Sequence, residues 1–228
     1  MAISRETELQ QKKVIIAVAA IVCVVVLAIV GFRMFWQQHA TGDTAPAQAP
    51  LSVSLGNKSA STKVVIYTDP VCDKCATFHS ATVKPLYDDY AKTGKIDLEI
   101  RPLSIVTEQS AALTELLMCG NEQGKFMDTS DFVSDALTRS NGRTVEVNGV
   151  SFFTDFPAAR IAQGAGLDET KLSSCLRDNR YDNLIKQADT QAYAANIYST
   201  PTTFVAGQEP VRGYAIYDYI KSLVDISL

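Results

Sequence analysis

Apolar positions run without a single charge from Val14 to Phe32 and then stop. At about 1.5 Å per residue such a run spans about 28 Å, close to the hydrocarbon thickness of a bilayer, so it predicts a membrane-spanning helix. Residues 37–50, with Ala45-Pro46-Ala47-Gln48-Ala49-Pro50, show no apolar period and read as an extended tether. Beyond them the period alternates between two and about 3.6. Leu51, Val53 and Leu55 alternate into a short edge strand before a Gly56-Asn57 turn, and Lys63 to Thr68 reads as a buried central strand. Phe78, Thr82, Leu86 and Tyr90 then recur at helical spacing, with a kink expected near Pro85 and an end at Thr93-Gly94-Lys95. Ile96, Leu98 and Ile100 alternate with Asp97, Glu99 and Arg101, predicting a half-exposed strand that stops at Pro102. Strand, helix and strand in that order predict a parallel crossover.

A helical tract follows. Ser110–Cys119, Gln123–Leu137, Phe156–Ala165, Asp168–Cys175 (Asp168 as N-cap) and Tyr181–Ala195 carry helical patterns, and Ser140–Phe153 reads as a loop or short hairpin with Asn-Gly in it twice. Strand character returns at Thr202–Val205, turns at Ala206-Gly207-Gln208, pairs back at Val211-Arg212 and ends in an amphipathic helix carrying Ile220 and Leu223. The order is β, β-α-β, a helical block, then β-β-α.

The chemistry sits where the central strand gives way to the first helix, at Asp69-Pro70-Val71-Cys72-Asp73-Lys74-Cys75. A cysteine at a helix start meets unpaired backbone N–H groups and the positive end of the helix dipole, which favour thiolate over thiol. Cys72 is therefore the expected attacking thiol, and Cys75, one turn on, the expected resolving one. Between them Lys74 would support the thiolate and Asp73 would oppose it.

Composition refines the picture. About 175 residues remain after the N-terminal region, enough for one domain with an inserted subdomain. A net charge of −4, spread along the chain, gives no reason to expect nucleic acid. Of five cysteines, Cys23 lies in the apolar run as a small buried hydrophobe. Lys12 and Lys13 before that run, against Arg33 after it, bias the N-terminus inside, and Met34-Phe35-Trp36 suit an interfacial anchor. A cleaved signal peptide is the competing reading, but the run is longer than an ordinary signal core and Pro46 spoils the small-residue site. The division expected is a cytoplasmic 1–13, an anchor at 14–36, a linker at 37–50 and a folded domain at 51–228 on the extracytoplasmic side, where disulfides persist.

Three stretches together resemble the DsbA-like thiol–disulfide oxidoreductases: Tyr67–Cys75 with Phe78-His79, Cys119-Gly120-Asn121-Glu122-Gln123-Gly124-Lys125-Phe126, and Ser199-Thr200-Pro201-Thr202-Thr203-Phe204-Val205. The resemblance covers roughly Leu55 to the C-terminus. It implies an α/β, thioredoxin-like fold with an inserted helical subdomain at approximately 105–195. It implies that Pro201 is a cis-proline, with the Thr200 backbone beside Cys72 to receive an extended substrate. It implies no bound cofactor, exported or unfolded protein substrates, and a quinone-linked membrane redox partner of the DsbB-like or VKOR-like kind. It also favours a structural disulfide between Cys119 and Cys175, which the residues alone leave open as two small core hydrophobes. The family often places proline and histidine between its cysteines; Asp73 and Lys74 argue for a milder oxidant, a reductase or an isomerase. His79, four residues after Cys75, opens a further alternative, a metal-binding chaperone using Cys72, Cys75 and His79. No nucleotide loop, paired-carboxylate site or Ser/His/Asp set stands out.

Overall fold

The computed structural model describes residues 22–27, 29–30, 49–139, 146–147, 150–151 and 158–228. The chain divides into two units, Met1–Gly42 and Asp43–Leu228. In the first, residues 22–27 and 29–30 are helical and exposed. Cys23 is exposed with them rather than buried, because every described side chain of this stretch is bare. The rest of the expected anchor at 14–36, and the linker up to residue 48, lie outside the described residues. Among the described residues no helix is long and apolar enough to cross a membrane.

The second unit is a five-stranded sheet with an inserted helical block. Its elements are β1 (Val53–Gly56), β2 (Thr62–Thr68), a long helix α1 at residues 73–91, β3 (Ile96–Pro102), α2 (Ser110–Glu122), α3 (Phe126–Arg139), β4 (Glu146–Val147), β5 (Val150–Ser151), α4 (Ala158–Ala165), α5 (Glu169–Arg177), α6 (Asp182–Ala194), β6 (Thr202–Val205), β7 (Val211–Arg212) and α7 (Tyr217–Ser227). The strand order is β1-β3-β2-β6-β7. β2 and β3 are parallel, joined by α1 as the crossover, and every other pair is antiparallel. β2 is covered on both faces, which is why Val64, Val65, Ile66 and Tyr67 form an unbroken apolar run. Gly56 closes β1 at φ +97°, where a Cβ would meet the Ile96 carbonyl oxygen at 2.6 Å.

Pro85 does not break α1. The helix widens into π-helical turns at His79–Val83 and Tyr87–Ala91, on either side of Lys84–Leu86. Lys84 N–H bonds the His79 carbonyl and Lys92 N–H the Tyr87 carbonyl. The wide turn before Pro85 accommodates a residue that has no N–H and whose ring crowds the preceding turn.

β3 departs from the half-exposed strand expected of its alternation: Asp97, Glu99 and Arg101 are all buried. They are satisfied by one another and by neighbouring strands. Arg101 Nε donates to Glu99 at 2.5 Å, Arg101 Nη1 to Tyr67 Oη at 2.7 Å, and Ser54 Oγ to Asp97 at 2.6 Å, while Lys63 pairs with both acids. Burying charge is tolerated where each charge has partners.

The helical insertion runs from α2 to α6. A disulfide joins Cys119 of α2 to Cys175 of α5, with Cα atoms 5.8 Å apart, as the family resemblance implied. Asp168 caps α5, accepting from Lys171 N–H at 2.9 Å. β4 and β5 form the short hairpin, pairing Glu146 with Ser151 and Val147 with Val150. The chain then returns to the sheet: β6 pairs with β2 from Tyr67↔Thr202 to Val64↔Val205, and α7 buries Ile220 and Val224.

Candidate active site

β2 ends at Thr68 and the chain turns at once. Cys72 N–H bonds the Asp69 carbonyl at 3.1 Å, and Cys72 becomes the N-cap of α1 in an extended conformation, φ −76° and ψ 118°. Its carbonyl starts the helix by accepting Cys75 and Ala76 N–H at 2.9 and 3.0 Å. This leaves Cys72 half-buried at the surface and Cys75, one turn in, 3 % exposed. From the other side, pairing of β6 with β2 delivers the Thr200-Pro201 peptide, which is cis. Cys72 Sγ lies 3.6 Å from the Thr200 carbonyl oxygen.

The two thiols are driven apart. A hydrogen bond from the Cys75 thiol, seconded by the backbone N–H groups of Cys75 and Lys74 and by Thr200, lowers Cys72 to about 6 against the cost of burial. Burial, and then the Cys72 sulfur itself, push the Cys75 thiol up. At neutral pH the arrangement presents a thiolate at the surface and a thiol beneath it. Asp73 and Lys74 point into solvent, and what this dipeptide brings to the sulfur is a main-chain N–H. Thr200 Oγ1 is buried without a hydrogen-bond partner of ordinary geometry, and its nearness lowers both thiols.

One residue of the site, at the point where the central strand gives way to the first helix, has a role the sequence pattern does not show. Asp69 is fully buried and holds four donors: Val71 N–H at 2.9 Å on Oδ1, Ile105 and Val106 N–H at 2.8 and 3.0 Å on Oδ2, and the Ser110 hydroxyl. It ties the cysteine loop to the segment after β3 and to the start of α2. Burial raises its pKa, with these hydrogen bonds opposing. The available signal was its place two residues before Val71, where an Asp side chain can bond the backbone of its own turn.

His79 does not join the cysteines in a ligand set. Its Nε2 is 2.7 Å from Asp131 Oδ1 on α3, and Lys84 holds the other Asp131 oxygen. Burial pushes Asp131 up, but His79 and Lys84 outweigh it and hold the carboxyl below its ordinary range. Among the described residues, three metal-ligating atoms converge only at Glu115, Cys119 and Cys175, whose sulfurs are already joined to each other. Behind Cys75 lies a cavity of about 30 Å³, bordered by Cys75, Asp69, His79, Ser130, Val133 and Phe126 among others.

Residues 48–225, the whole sheet and its insertion, match a family model described as thioredoxin. The chain belongs to the thioredoxin family. A Rickettsia bellii protein provisionally named a protein-disulfide oxidoreductase is 29 % identical over 172 residues, covering 75 % of this chain; the chain spans 62 % of that protein's length. Among solved structures, Wolbachia pipientis alpha-DsbA1 superposes with a TM-score of 0.64 at 19 % identity, over 78 % of this chain and 92 % of that one. Chlamydia trachomatis DsbA gives 0.62 at 16 %, over 81 % and 93 %. A thioredoxin-like oxidoreductase from Silicibacter pomeroyi gives 0.58 at 21 %, over 77 % and 91 %. This thioredoxin-family chain thus shares its fold with DsbA proteins.

Proposed function

We propose that the chain is a DsbA-like thiol–disulfide oxidoreductase that exchanges disulfides with exported or unfolded proteins. The observation that carries this reading is the half-buried Cys72, lowered to about 6, standing over a buried Cys75 and 3.6 Å from the Thr200 carbonyl. The name of the Rickettsia bellii relative supports it.

In the reducing direction the Cys72 thiolate attacks one sulfur of a substrate disulfide. The Cys72–substrate bond forms, the substrate S–S bond breaks, and the other substrate sulfur leaves with the electron pair. Cys75, losing its proton, then attacks Cys72 Sγ, closing the Cys72–Cys75 disulfide and releasing the second substrate thiol. Oxidation of a substrate dithiol is the same sequence reversed. An extended substrate strand would pair with the Thr200 backbone before Pro201, adding hydrogen bonds that orient its sulfur towards Cys72.

A thiol lowered by its neighbours, with no histidine between the two cysteines, fits an exchanger that works in either direction. The uncharged run of residues 14–32, with Lys12 and Lys13 before it, supports a single-pass tether with the catalytic domain outside the cytoplasm; the partner that would reset the site there is inferred from the family resemblance alone.

Trapping tests the reading. Cys75→Ala should accumulate mixed disulfides with exported proteins through Cys72, and Cys72→Ala should abolish exchange. Preferential alkylation of Cys75 at neutral pH would reverse the assignment.

A further inference from the structure

Cys75 must release a proton each time it attacks and recover one each time it leaves, yet it is 3 % exposed. β2 and β3 contribute Ile66 and Ile100 to the cavity behind it, and α2 contributes Leu117, so none of these walls offers an acid or a base. Besides Cys75, the titratable groups bordering that cavity are Asp69 and His79. Both oxygens of Asp69 are engaged by main-chain N–H groups, bonds a proton there would disrupt. His79 differs. It lies one helical turn beyond Cys75, and Asp131 engages only its Nε2. With that nitrogen donating, Nδ1 carries the lone pair and has no protein hydrogen-bond partner among the described residues.

We propose that His79 is the proton acceptor and donor for Cys75 during disulfide exchange, working across the cavity that both border. This rests on Cys72 and Cys75 being the exchanging pair. The cavity, about 30 Å³, is large enough for one bridging water, and Ser130 and Ser134 on α3 give such a water polar partners. In ring closure the proton moves from Cys75 Sγ to His79 Nδ1, directly or over that water. The Cys75 electron pair forms the bond to Cys72 Sγ, and the substrate sulfur departs with the pair of the broken bond, taking its proton from solvent. In the opposite direction Cys75 leaves as thiolate and His79 returns the proton.

The charged groups around the imidazole suit a transient imidazolium. Asp131 faces it directly from α3, and Lys84 on α1 shares that carboxylate while also sensing Asp88 and Asp128. The His79 side chain is 12 % exposed and that of Asp131 37 %, so the pair leads from the cavity to solvent.

The test separates the two steps. The full chain, carrying Cys23→Ser, is reduced and mixed with excess glutathione disulfide, acid-quenched at intervals from pH 5 to 9, and resolved by mass into glutathionylated and ring-closed forms. His79→Gln should leave the first step, attack by Cys72, within about twofold. It should slow ring closure at pH 7 by at least about tenfold, the lower reach of general acid–base catalysis after discounting for a good nucleophile. Closure in the unsubstituted chain should depend less steeply on pH than in His79→Gln, where only hydroxide is left to take the proton. Asp131→Asn, which keeps the imidazole, should slow closure less than His79→Gln does. Equal closure rates with and without His79, or equal slowing of both steps, would overturn the proposal. Absence of the first step in the unsubstituted chain would overturn the exchange assignment, and this inference with it.

Discussion

Cys72 Sγ and the Thr200 carbonyl oxygen, 128 residues apart in sequence, lie 3.6 Å from each other. The contact exists because β6 pairs antiparallel to β2 with Thr202 opposite Tyr67, so the loop entering β6 meets the loop leaving β2. The helical insertion lies between the two loops in sequence, yet the edge where they meet is built by the β2–β6 pairing alone.

Because the Cys75 thiol is the largest influence lowering Cys72, the two can be separated by mutation. Alkylation of Cys72 by iodoacetamide should follow an inflection near pH 6 in the unsubstituted protein. In Cys75→Ala the inflection should move towards the ordinary thiol range while the helix N–H groups keep it below 9. An inflection unmoved by Cys75→Ala would assign the effect to the backbone instead.

The same two thiols set a pH dependence of stability in the reduced protein. Cys72, depressed to about 6 from 9.0, contributes stability that is complete above 9 and is lost as pH falls through 6. Cys75, raised above 9.0, contributes stability that is complete below 9 and is lost as pH rises beyond it. Reduced protein should therefore gain on the oxidised form, which lacks both groups, between pH 6 and 9. Urea midpoints of the two forms measure this, and a constant difference across the window would count against the assignment.

The distant disulfide should behave differently from the Cys72–Cys75 pair, of which Cys72 reaches the surface. Cys119 and Cys175 are each 1 % exposed, and Glu115, whose own pKa burial raises, lies against them. Reductant sufficient to open Cys72–Cys75 should leave them joined on non-reducing peptide maps. Replacing both by Ala should cost about 4 kcal/mol in the chain-entropy account of a loop closed over a separation of 56 residues, read as a lower denaturant midpoint.

Gly120, beside Cys119, is a point where α2 packs directly against Thr129 of α3. A Cβ there would fall 2.2 Å from Thr129 Oγ1 and 2.9 Å from Thr129 Cβ. Gly120→Ala should destabilise by about 1–3 kcal/mol, with thermal melting as the readout. Thr129→Ala added to it should recover part of the loss by removing the hydroxyl it strikes.

Much of this was legible locally. The β-α-β order, the Asp168 cap and the hairpin each follow from patterns a few residues long, and the Thr200–Pro201 placement followed from resemblance. What was not legible involves polar side chains whose partners are remote. Alternation in β3 implied a wet face, because local period cannot reveal that Lys63, Ser54 and Tyr67 on neighbouring strands would satisfy Asp97, Glu99 and Arg101. The holding role of Asp69 was hidden because its other donors arrive from residues 105–110. His79 suggested a metal ligand because Asp131, 52 residues away, gave no sign of claiming it.

The Cys119–Cys175 bond has a topological consequence. It closes a covalent ring that contains α3, the hairpin and α4 but no strand of the main sheet. A protease that cuts once inside the ring linearises it without releasing a fragment. The nicked protein should migrate as one species until it is reduced and as two afterwards, with β1, β3, β2, β6 and β7 still presenting Cys72 to Thr200.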